Sequence, residues 1–183
     1  GIYGDNSHSA VRLLSRVYPV RNVHISNIYG SYYAYGVVLS KYSVLPERSG
    51  FENISIDHVH ASLCPGTVDV AGNKRPLIWI GEQIDIKNLR ISDLCRTETH
   101  NPNPTIGIDA GSYIDRLSVS NCTQVNKTGS LMPFLHNEGT IDKVYLYNVD
   151  TAEDTLLSGD GAIHSKTIIY FKRKTRNLNQ NPS

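Results

Sequence analysis

The stretch Val20-Arg-Asn-Val-His-Ile-Ser-Asn-Ile28 decides how the rest of the chain reads, because the same phrase returns. It recurs as Phe51-Glu-Asn-Ile-Ser-Ile-Asp-His-Val59, Ile86-Lys-Asn-Leu-Arg-Ile-Ser-Asp-Leu94, Ile114-Asp-Arg-Leu-Ser-Val-Ser-Asn-Cys122 and Ile141-Asp-Lys-Val-Tyr-Leu-Tyr-Asn-Val149. The starts lie 31, 35, 28 and 27 residues apart, with a frayed sixth copy near Ile163–Ile169. Such periods signal a stacked-repeat architecture. The phrase alternates apolar and polar residues, which is strand chemistry. One such strand cannot bury its apolar side alone, so the copies must stack. The reading is all-β: a right-handed parallel β-helix, a single-stranded solenoid of about five coils.

Alternation puts Val23/Ile25, Ile54/Ile56, Leu89/Ile91, Leu117/Val119 and Val144/Leu146 on the core side. The eighth phrase position reads Asn27, His58, Asp93, Asn121, Asn148. Asn and Asp bond their own backbone and tolerate left-handed geometry, so a turn is expected there, with the side chains stacked as a hydrogen-bonded ladder. His58 is assigned to that ladder and not to a metal or to catalysis. Sequons at Asn53 and Asn121 are explained by the same strand and turn geometry; a third starts at Asn126.

A second strand is expected between phrases, at Ala10–Ser15, Gly36–Ser40, Leu77–Glu82, Thr105–Asp109, Met132–Asn137 and Thr155–Gly159. The last apolar residue of five of them stands six residues before the next phrase: Leu14, Ile80, Ile108, Leu135 and Leu157. The linking turns carry Gly81, Gly111, Gly139 and Gly161. Ile28–Tyr35 and Ala61–Pro76 are longer and read as loops leaving the repeat, where function concentrates. No helix is strongly signalled; Val125–Leu135 comes nearest, and Gly129 and Pro133 spoil it. The whole of 1–183 reads as one domain cut from a longer protein, with a polar basic tail over 172–183 and sticky strand edges at both ends of the stack, open to oligomer formation.

Composition excludes several classes. A net charge of +1 gives no field to recruit nucleic acid or a membrane surface, and no run of 18 apolar residues is present. The one basic cluster, Lys166, Lys172, Arg173, Lys174 and Arg176, reads as a solvated terminus. Three cysteines, Cys64, Cys95 and Cys122, have no metal spacing; Cys122 fills an apolar phrase slot as a buried thiol, and a Cys64–Cys95 disulfide is not expected. No phosphate loop, Gly-x-Ser-x-Gly or His-Glu-x-x-His motif occurs, and no cofactor or metal is called for.

Chemistry is expected on the outer face of the second strand. Alternation there sends Trp79, Phe134, Leu156 and Val38 outward as an apolar column, which either packs under a loop or stacks sugar rings. Polar neighbours on that face are Ser40, Lys41, Glu82, Asp109, His136 and Glu138. Asp109 and His136 are assigned one slot on successive repeats, about 5 Å apart. Glycosidic hydrolysis needs two carboxylates, one as acid and one as base or nucleophile. Asp109, Glu82 and Glu138 are the candidate acids and His136 the orienter; Trp79, Tyr35, Lys41 and Phe134 are the candidate sugar contacts.

The phrase followed by a Gly-containing apolar strand resembles the right-handed parallel β-helix proteins of the pectin lyase-like superfamily, nearest to the polygalacturonase-type glycoside hydrolases, over Ala10–Val149. The resemblance implies a secreted or periplasmic protein directed at a polysaccharide or oligosaccharide. That family carries Asp-Asp, Gly-His-Gly and Arg-Ile-Lys on successive second strands. The corresponding slots here hold His8-Ser9, Ala34-Tyr35-Gly36 and Trp79-Ile80-Gly81, where Gly36 alone matches, so the family's catalytic residues do not carry over. A glycoside hydrolase segment and a non-catalytic structural or glycan-binding scaffold both remain open.

Overall fold

The computed structural model describes residues 1–41, 49–65, 75–97, 101–124, 133–151 and 156–170. These form strands and turns only. In chain order the strands are β1 (Ile2–Ser15), β2 (Val20–Lys41), β3 (Ser49–Leu63), β4 (Ile78–Ile80), β5 (Ile84–Arg96), β6 (Ile106–Ile108), β7 (Tyr113–Gln124), β8 (Leu135–Asn137), β9 (Thr140–Asp150), β10 (Leu157–Ser158) and β11 (Ala162–Ile169). All belong to one sheet, and every pairing is parallel.

Its order, β10-β8-β6-β4-β2-β3-β5-β7-β9-β11, has two limbs joined by the long β2. The phrases make one limb (β2, β3, β5, β7, β9, β11). The short second strands β4, β6, β8 and β10 continue the other from Val37–Leu39 of β2. Phrase starts align without slippage: Val20 on Phe51, Phe51 on Ile86, Ile86 on Ile114, Ile114 on Ile141, Ile141 on Ile163. Register is fixed because a one-residue slip would turn the apolar set to solvent. The expected core-side residues lie inside, with Val23 half-buried in the topmost phrase, and residues of both limbs share one core.

The eighth phrase position turns as expected, with φ of 59° at Asn27, 51° at His58, 51° at Asp93, 54° at Asn121 and 53° at Asn148. The ladder there is partial: Asn148 Nδ2 donates to Asn121 Oδ1 at 2.9 Å, while His58 turns to Asp57 at 3.0 Å. A second ladder, not expected from the sequence, runs along the third position. Asn88 Nδ2 donates to Asn53 Oδ1 (2.9 Å), and Asn53 Nδ2 to Asn22 Oδ1 (3.0 Å).

Several expectations fail at the corners. Ile28–Tyr35 is no loop: it runs inside β2, paired with β1 on one edge and β3 on the other, with the Tyr32 hydroxyl donating to Tyr29 O at 2.8 Å. The six-residue interval holds in two separate pairs: Ile80 aligns with Ile108, and Leu135 with Leu157, but the two pairs occupy different slots. Leu13, not Leu14, pairs with Leu39, and Asn137, not Leu135, takes the slot of Ile108. Asn137 is a polar substitute that serves the shortened turn: Gly139 N–H donates to its Oδ1 (3.2 Å), and its Nδ2 donates to Gly139 O (3.3 Å). A Cβ on Gly139 would fall 2.7 Å from Ser112 O, so the turn closes only on glycine. At the far corner Arg96 is fully buried, donating to Asn103 O (2.6 Å), Asn101 O (3.1 Å) and Thr105 Oγ1 (3.2 Å). None of the three cysteines is joined in a disulfide. Met132, Thr155, Asn126, most of Ala61–Pro76 and of Val125–Leu135, and the basic tail lie outside the described residues.

Candidate functional site

The pleat governs only two or three residues of each second strand. It sends Arg12, Val38, Trp79, Gly107, His136 and Ser158 outward in one column. The flanking residues belong to the corner, where the chain bends over the core. Phe134 (0% exposed) and Leu156 therefore point inward and join the core, which corrects their assignment to the outer face; Phe134 cannot meet a sugar. Val38 keeps its slot but is covered. Tyr35, 6% exposed, is a wedge and not an open platform: its ring packs against Trp79 (5.7 Å between centroids) and edge-on to His8 (5.8 Å).

Trp79 holds the centre. Its neighbour Gly107 has no side chain, and Pro76 lies over that gap. Arg75 sits over the indole with its guanidinium carbon 3.9 Å from the ring centroid, an attraction between cation and π-face. The indole Nε1–H donates to Asp109 Oδ2 at 2.8 Å. Burial raises the Asp109 carboxyl above its ordinary value, and the charge of Glu82 adds to this; the Trp79 hydrogen bond, Arg75 and His136 pull the other way.

The register corrects one geometric expectation. Asp109 shares its slot with Glu138, not with His136: Ile108 pairs with Asn137, and Glu138 N–H donates to Ile108 O at 2.9 Å. His136 shares its slot with Gly107 and Ser158 instead. Its Nε2 lies 3.0 Å from Glu138 Oε1, and its Nδ1 lies 2.9 Å from Ser158 Oγ. Lys41 is drawn to one side, donating to Gln83 Oε1. Trp79, Asp109, Glu82, His136 and Glu138 thus gather on one face, while Phe134, Tyr35 and Lys41 serve other ends. Arg75 and Ser158 are additions that the sequence pattern does not single out. Ser158 becomes legible as the residue opposite His136 once the register is right; Arg75, in a connection, has no such signal.

Elsewhere, a groove of about 770 Å³ crosses the phrase starts, lined by Glu52, Asp85, Lys87, Tyr113 and Asp115 around Gly50. An open acidic groove with no converging set of reactive groups is weaker evidence of chemistry than the hydrogen-bonded cluster. On the phrase face His24 Nδ1 meets Ser55 Oγ (2.8 Å), and Asp57 lies between His24 (3.4 Å) and His58 (3.0 Å). Asp57 Oδ1 accepts no hydrogen bond, so the His24 contact is a close approach and not a hydrogen bond. Among the described residues no group of three His, Cys, Asp or Glu is arranged to hold a metal ion. Protein-family models, curated proteins and solved structures contain no match to the chain.

Proposed function

We propose that this chain is a right-handed parallel β-helix segment whose second-strand face acts on a carbohydrate, as part of a secreted or periplasmic polysaccharide-degrading glycoside hydrolase. Support for the coil comes from the chain's alternation between two limbs of parallel strands, and crossovers between parallel strands are right-handed in nearly all proteins. The observation that carries the function is Asp109: a carboxyl held toward its protonated form by burial, with Glu82 within electrostatic reach and a half-exposed tryptophan hydrogen-bonded to it. Two carboxyls close together, one of them in an environment that holds its proton more tightly, are the pairing that glycosidic cleavage uses. Asp109 donates the proton to the leaving oxygen, Glu82 is the base or nucleophile, and Trp79 carries the sugar ring.

The test is turnover of oligogalacturonate and a panel of neutral and acidic polysaccharides by the chain and by Asp109→Asn. A fall of about 100-fold or more in the variant supports the acid role. Unchanged turnover removes Asp109 from the mechanism. A second reading, a non-catalytic scaffold, is favoured by the burial of Tyr35 and Phe134 and by Arg75 occupying a face of Trp79. Glycan binding without turnover by the unmodified chain selects it.

A further inference from the structure

The column that ends at β10 contains a constellation the carbohydrate reading does not use. Ser158 Oγ, His136 Nδ1, His136 Nε2 and Glu138 Oε1 form one chain of contacts, 2.9 Å and 3.0 Å at its two links. Strand register fixes its order: Ser158 stands opposite His136 on the next strand, and Glu138 follows two residues later on the same face. With Nε2–H donated to Glu138, Nδ1 is left as an acceptor for the Ser158 hydroxyl. A nucleophile touching a base, and the base oriented by a third group, is the geometry of an activated serine.

We propose that Ser158, His136 and Glu138 form a hydrolytic relay that cleaves short acyl esters on exposed hydroxyl groups, such as O-acetyl groups on a polymer. A similar contact exists at Ser55 and His24, but its setting differs. Ser55 lies in β3, which is paired on both edges by β2 and β5. Ser158 lies in β10, the last strand of its limb, and no described strand covers its outer edge. Among the described residues that edge has no sheet partner, which leaves its outward-pointing backbone N–H groups open. They supply donors for a developing oxyanion beside the nucleophile. The chain of contacts is half exposed, which suits an ester carried on a large substrate and a small acyl group.

In the reaction Ser158 Oγ attacks the ester carbonyl carbon while its proton passes to His136 Nδ1. The tetrahedral intermediate collapses, the bond to the alcohol oxygen breaks, and His136 returns the proton to that oxygen. Water, deprotonated by His136, then attacks the acyl-Ser158 ester, releasing a carboxylic acid and restoring the serine hydroxyl. Glu138 is a positioning residue: it holds the imidazole in the required tautomer and balances its charge.

The experiment treats the full chain with an alkyl fluorophosphonate and maps the adduct by peptide mass. p-Nitrophenyl acetate hydrolysis is followed in parallel. The expected result is one adduct on Ser158, absent in His136→Ala and retained in Ser55→Ala. Ester hydrolysis should fall at least 100-fold, to the buffer rate, in Ser158→Ala, and Glu138→Gln should lower kcat about tenfold with KM unchanged. No adduct, or an adduct on Ser55 or any other residue, overturns the proposal. Labelling of the unmodified chain decides between these outcomes even where a variant misfolds. The relay does not use Asp109, so loss of polysaccharide turnover and loss of labelling are separate failures.

Discussion

Asp109 is the residue whose environment is set against its charge. Burial disfavours the carboxylate in the folded chain, so the folded form holds its proton more tightly than the unfolded form does. The cost of that charge is fully present above the raised folded value, and it is relieved as pH falls through it. Asparagine keeps an oxygen to accept from the Trp79 indole and carries no charge. Asp109→Asn is therefore expected to melt about 2 °C higher at pH 7, with the gain closing as the solution is acidified into the carboxylate range. Scanning calorimetry across pH checks this; a gain independent of pH would refute the electrostatic account. Stabilisation on removing a group is the mark of a residue kept for something other than folding. Cys122 is the opposite case. Burial, with a smaller push from Asp93, drives its thiol up to about 12, and it does what any small apolar residue would do at its phrase slot.

At the scale of the strand, the phrases are legible because burial constrains them. Four inward positions per copy repeat the same apolar choice, and the partner strands reproduce that register. The second strands are legible in place but not in phase. A strand of two or three residues offers too few alternations to fix which side chain points outward, and the corner beside it adds inward residues that mimic the outward pattern. Phe134 and Leu156 take the wrong face in the sequence pattern for this reason, and the same phase error sets His136 beside Asp109. β11 is a strand of another kind. In the inward column Val23, Ile54, Leu89, Leu117, Val144 the sixth residue is Lys166, which is exposed. An inward-pointing charge on an edge strand blocks further pairing. Lys166→Val should restore the column and give a protein whose mass rises with concentration more steeply than that of the unmodified chain by light scattering; a variant that scatters as the unmodified chain does would show that the edge is guarded by other means.

For the molecule as a whole, each repeat rests mainly on the two beside it, so stability is expected to be graded along the stack and not uniform. Amide hydrogen exchange should be slowest in β5 and β7 and fastest in β1 and β11, by about a hundredfold or more; equal protection throughout would mean a single cooperative unit. The all-β class, the parallel stacking and the face that gathers Trp79, Asp109, Glu82, His136 and Glu138 are legible in the sequence, because repetition writes the same information several times. Arg75 and the buried corner at Arg96 are not, each being present once and set by a connection with no repeat to compare. All pairings are parallel, so the stack has a direction. Among the described residues its two ends are unlike surfaces: the edge of Val20–Asn27 in β2, which no described strand pairs, and β11. A second copy stacked head to tail would meet an unlike end and leave a fresh one exposed, so that contact would propagate as a fibre instead of closing into a dimer. The lysine in β11 works against that propagation: one inward-pointing charge spoils a surface that would otherwise template its own copy.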